Sequence, residues 1–63
     1  MKTVDVVKMP KGYHVTRRYG GMNKGTAFFP TVAPTGMKRA DAKKFLADAA
    51  KAKDDFINGW MGE

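Results

Sequence analysis

Cysteine is absent from this sequence, which excludes a disulfide framework, a thiolate zinc site and a thiol nucleophile. Branched aliphatic residues are scarce. Leu46 and Ile57 are the only residues of their types, and Leu, Ile, Val and Phe together make 11 of the 63 residues. That share is below the roughly 20% at which a high net charge begins to argue for disorder. Eight alanines, five methionines and seven aromatics must therefore supply the rest of the core. No apolar run approaches the roughly 20 residues of a membrane span, and no signal-peptide pattern opens the chain. The expectation is a soluble cytoplasmic protein with no membrane partner. A chain of 63 residues reads as one small domain, 1–63, of a size that buries only about 60% of its unfolded surface. It has little room for a deep cleft. Its single histidine, His14, has no cluster of ligands around it, and no carboxylate pair has a pocket. Neither an enzyme, nor a metal, nor a cofactor is expected.

Acidic residues are nearly missing from the first part of the chain. Residues 1–39 carry eight Lys or Arg against Asp5 alone, a balance of +7, whereas residues 40–63 carry four lysines and five acids, a balance of −1. Clustered Lys and Arg are the electrostatic footprint of a nucleic-acid binder or of a protein that meets an acidic surface. A balance of +6 is also what keeps a small protein soluble.

The basic half is the half that reads as strands. Thr3–Met9 is valine-rich, Pro10-Lys11-Gly12 is a turn signal, and Tyr13–Tyr19 alternates. In this second strand Tyr13, Val15 and Tyr19 share one parity, with Arg17 as the exception, while His14, Thr16 and Arg18 share the other. Gly20 to Gly25 holds three glycines in six residues and reads as a long hairpin loop. Thr26–Phe29 follows as a third strand. Pro30 cannot donate to a ladder, so it ends that strand or places it at an edge. Phe28 and Phe29 are adjacent, so a regular strand turns only one of them toward a covering helix.

From about Lys38 to Asn58 the period is helical. Ala42, Phe45, Leu46, Ala49, Phe56 and Ile57 form one apolar stripe. Lys53 falls inside it: either its stem lies along the apolar surface with the ammonium in water, or the helix bends there. Thr35 or Gly36 is the candidate cap and Asn58-Gly59 the stop signal, leaving Trp60 and Met61 to fold back on the core. The fold class that results is α+β: a three-stranded antiparallel meander packed on one C-terminal amphipathic helix, with one sheet face left open.

The run Gly12-Tyr13-His14-Val15-Thr16-Arg17-Arg18-Tyr19, the Gly/Lys loop, Gly25-Thr26-Ala27-Phe28-Phe29 and the helix start Ala40-Asp41-Ala42-Lys43-Lys44-Phe45-Leu46 resemble the AP2 and integrase arm-type DNA-binding domains. The likeness spans about residues 3–56. It implies a βββα fold whose open sheet face enters the major groove, with Arg17, Arg18 and Lys24 as candidate contacts. Those families usually carry a tryptophan in the strands. Here the only tryptophan is Trp60, beyond the expected helix.

The candidate binding residues are Lys8, Lys11, His14, Arg17, Arg18 and Lys24. Either arginine can clamp phosphate or read guanine bidentately. The three lysines, at hairpin ends, can hold a nucleic-acid backbone or simply solubilise loops. His14 can contact a phosphate or stand as a plain surface imidazole. An exposed aromatic among Tyr13, Tyr19, Phe28 and Phe29 can stack on a base, although a core this poor in leucine claims most of them. Asp41, Asp48, Asp54 and Asp55 alternate with lysines as solvated helix faces do.

Two functions follow. One is a nucleic-acid-binding module, DNA before RNA, that uses a basic sheet face and hairpin loops. The other is a non-enzymatic protein-binding inhibitor or modulator of a host enzyme, of phage or mobile-element type, acting on an acidic protein surface or through an edge strand. A homodimer through an edge strand is a further expectation, since it would help so thin a core.

Overall fold

The computed structural model describes all 63 residues. Three strands, β1 (Lys2–Met9), β2 (Gly12–Tyr19) and β3 (Met22–Pro30), precede one helix, α1 (Arg39–Met61). The sheet order is β1-β2-β3, antiparallel throughout. The expected α+β meander with a C-terminal helix is the observed fold.

Each turn has a local cause. Pro10-Lys11 links β1 to β2. Gly20 and Gly21, at φ +58° and +88°, make the two-residue hairpin between β2 and β3, which needs positive φ at both positions. The expected six-residue glycine loop is therefore a two-residue turn, and β3 begins four residues early, at Met22. What Gly25 supplies instead is a bulge. Thr16 pairs with Thr26 and Arg18 with Asn23, so Lys24 and Gly25 together face Arg17. Gly25 sits at φ +132°, and its N–H donates to the Asn23 side-chain oxygen at 2.9 Å.

The helix differs from expectation at both ends. Neither Thr35 nor Gly36 caps it. Lys38 is the N-cap, with φ −63° and ψ 150° and no side-chain capping bond, and its carbonyl accepts from Ala42 N–H at 2.7 Å. At the other end α1 runs through Asn58-Gly59 to Met61. A helical glycine costs about 1 kcal/mol, and here contacts beyond it outweigh that cost. Trp60, four residues after Phe56, extends the inward stripe rather than folding back. Its indole Nε1–H donates to the Thr3 carbonyl at 3.1 Å. Met61 stays half exposed.

Residues opposed across a sheet share a face. The register therefore puts Lys2, Val4, Val6 and Lys8 with Tyr13, Val15, Arg17 and Tyr19, and with Ala27 and Phe29. This is the helix side: Phe29 meets Phe56 with ring centroids 5.5 Å apart, and Lys53 lies 4.6 Å over the Tyr13 ring. The core is thin. Val15 is the only large side chain fully withdrawn from solvent. The principal extents of 42 × 22 × 13 Å and a radius of gyration of 13.3 Å describe a flat slab, against about 10.6 Å for a compact domain of this length.

Candidate interaction surface

The cations of the sheet are the natural starting point, because the sequence nominates them. Arg17, the odd member of its parity set, points toward α1. Its Nε and Nη2 both donate to the Phe56 carbonyl, at 3.1 and 2.6 Å, and the guanidinium lies 3.9 Å from the Phe56 ring centre and 5.9 Å from that of Trp60. Lys2 acts alike: its ammonium donates to the Trp60 carbonyl at 3.2 Å and the Glu63 carbonyl at 2.7 Å. The last turn of α1 has no basic residue of its own. The strands supply the positive charge that its carbonyl end favours. Arg17 is thus engaged in holding the two layers together, as a fork of two charge-assisted bonds to one carbonyl.

Arg18 leaves the opposite face. Its Nε donates to the Asp5 carboxylate and its Nη1 to the Gly21 carbonyl at 3.3 Å. The one acid in the basic half thereby pairs with the one arginine of the open face. Lys8 belongs to the helix side of β1, next to the turn that carries Lys11. Lys24 lies at the far end, in the bulge. His14 is exposed in the middle of the open face. The six nominated residues are thus spread over both faces and both ends of the slab and form no single basic patch.

What the open face does bring together is apolar. The cross-strand row Val7–His14–Phe28 lies next to the row Met9–Gly12–Pro30. Val7 is 52% exposed, Phe28 48% and Met9 43%. Phe28 lies over Gly12: a Cβ built on Gly12 would sit 2.7 Å from Phe28 Cζ and would also clash with the Phe29 carbonyl. A side chain at position 12 would push the ring aside, so glycine there keeps Phe28 flat on the sheet. One flank of Phe28 forms a shallow groove with Met9, Pro10 and Lys11. The other opens into a hollow shared with Val32, Pro34 and Phe45 and again with Lys11. Lys11 is the one nominated cation that borders this patch. Sequence reasoning missed Val7, Met9 and Val32. The signal that could have found the centre was Phe28-Phe29, because Phe29 took the helix side and left Phe28 outward.

No helix of the structure is long and apolar enough to cross a membrane. No family model, curated protein or solved structure matches the chain.

Proposed function

We propose that this protein is a non-enzymatic protein-binding module that docks through the open face of its sheet onto a partner with an acidic rim around an apolar site. The observation that carries this reading is the row Val7–His14–Phe28 with Met9 beside it, half exposed in a protein that fully withdraws one large side chain. An aromatic residue flanked by a groove and a hollow is the anchor geometry of interface centres. Lys11 borders both depressions, and the +7 balance of residues 1–39 complements an acidic partner surface and speeds encounter with it. Acting by occupying a partner's surface, such a module suits an inhibitor or modulator of an enzyme.

The test is affinity capture on immobilised wild type, Phe28→Asp and Lys11→Glu, after nuclease treatment. The expected result is a stoichiometric complex that Phe28→Asp abolishes and Lys11→Glu weakens in a salt-dependent manner. A complex retained in full by Phe28→Asp would overturn the reading.

The same charge balance favours a second reading, nucleic-acid binding, DNA before RNA. It predicts micromolar or tighter binding of labelled duplex or single strands, with an affinity falling steeply between about 50 and 200 mM salt. Arg17 and Arg18 are both engaged within the chain, so Lys11 and Lys24 would carry the phosphate contacts. Lys11→Glu with Lys24→Glu tests that reading.

A further inference from the structure

The two edges of the sheet are unequal. In an antiparallel pair, backbone groups turn toward the neighbour strand at every second residue and away from it at the others. Gly20 N–H donates to the Met1 carbonyl, and Thr31 N–H to that of Lys11. The register then turns the odd positions of β1 toward β2 and the even ones outward. After its bulge β3 also turns its even positions outward. The β3 edge is interrupted twice: Pro30 has no N–H to offer, and the Lys24-Gly25 bulge breaks the strand at its other end. Thr26 and Phe28 remain between them. The β1 edge has no proline, glycine or bulge, and Lys2, Val4, Val6 and Lys8 present their N–H and C=O groups in a row. Val6, on the helix side, is 49% exposed. Lys2 and Lys8 blunt the two ends of this edge, and Val4 and Val6 lie open between them.

We infer that β1 pairs with β1 of a second copy of this chain, antiparallel about a two-fold axis at Val6, making a continuous six-stranded sheet. A two-fold axis perpendicular to the sheet allows only pairings in which a residue meets its own copy, and both helices then lie on the same side. Two such registers use the middle of the strand. Centring on Asp5 places two carboxylates face to face and sets Lys2 against Lys8. Centring on Val6 avoids both. Val6 then exchanges two hydrogen bonds with its copy, Val4 pairs with Lys8 at both ends, and the ladder stops where Lys2 meets Pro10, which has no N–H. Lys8 extends past the opposing Val4 with its ammonium in water. The ladder is short, so the dimer is weak and concentration-dependent. It does not depend on the docking reading above, but it would present two copies of the Phe28 face side by side on one surface.

Sedimentation equilibrium of the purified full chain from about 10 µM to 1 mM tests this. The mass is expected to rise from 7.0 kDa toward twice that value. Val6→Pro removes an outward N–H, leaves the β1–β2 ladder intact, and is expected to raise the dissociation constant roughly tenfold or more. Val6→Cys gives the chain its only thiol. Mild oxidation is expected to link Val6→Cys chains across the axis, where paired Cα atoms lie about 5.5 Å apart, and to link Lys8→Cys chains at least about tenfold less. A monomer at every concentration overturns the inference. So does equal cross-linking of the two cysteine variants, or a Val6→Pro chain that is folded and associates like wild type. If Val6→Pro does not fold by circular dichroism, Val6→Lys replaces it: loss of association supports the inference, and unchanged association overturns it. Phe28→Asp separates the two surfaces. It is expected to dimerise like wild type, and dimerisation lost in Phe28→Asp places the contact on the open face and overturns the inference.

Discussion

Arg17 and Arg18 are neighbours in sequence and serve opposite faces of the sheet. Arg17, on the covered face of the sheet, is half-buried and makes a two-pronged bond to the Phe56 carbonyl over an aromatic ring. Arg18, on the open face, meets a carboxylate that is itself half exposed. The alternation of a strand sends one cation into the joint between the layers and the other into an ion pair on the open face. The lesson is that a basic dipeptide in a strand is one candidate surface residue, not two. On the covered face charge substitutes for the missing leucine. Arg17 and Lys53 lie on aromatic rings where a larger core would place aliphatic packing.

The contrast predicts unequal effects of substitution. Arg17→Ala removes the charged fork from the Phe56 carbonyl and the cation from its ring, and is expected to cost about 1.5–3 kcal/mol in urea unfolding. Arg17→Lys, keeping charge but losing the fork, should recover part of that. Trp60→Phe keeps a ring on the sheet but deletes the bond to Thr3, an expected loss of about 1 kcal/mol. Gly59→Ala should stabilise by about 0.5–1 kcal/mol, because a Cβ there meets only Arg17 Nη2 at 3.8 Å, an ordinary contact. Arg18→Ala should shift stability by no more than about 0.5 kcal/mol, and less in high salt, as exposed pairs do. An Arg18→Ala as costly as Arg17→Ala would dissolve the contrast between the faces.

Much of the fold was legible because it rests on period and turn chemistry. The valines of β1, the alternation of β2 and the 3–4 spacing of α1 led to the right elements and order. Lys53 was placed correctly as a cation inside the stripe. The failures share one cause: a local signal was overruled by contacts far away in sequence. Asn58-Gly59 reads as a stop, but Trp60 reaches Thr3, 57 residues away, and the helix continues. The glycine cluster reads as one loop, but two of its residues make the turn and the third makes a bulge. The nominated cations were chosen by charge, and charge does not say which face a strand presents. Arg17 is the exception on the core parity, and that parity, taken literally, removes it from the binding set.

The strand-borne cations at the helix end also bear on how the chain assembles. Two short turns make β1, β2 and β3 a product of contacts near in sequence, whereas the end of α1 meets β1 and β2 across 39 to 58 residues. The last turns of α1 have no basic residue of their own. They acquire their positive partners only when Lys2 and Arg17 are already in place. The prediction is that the helix end opens before the sheet does. Native-state amide exchange should show it: protection at Ile57–Met61 is expected to fall below that of β2 and to drop further in Arg17→Ala, while the sheet amides remain slow. If so, the two layers part at the helix end while the sheet stays paired.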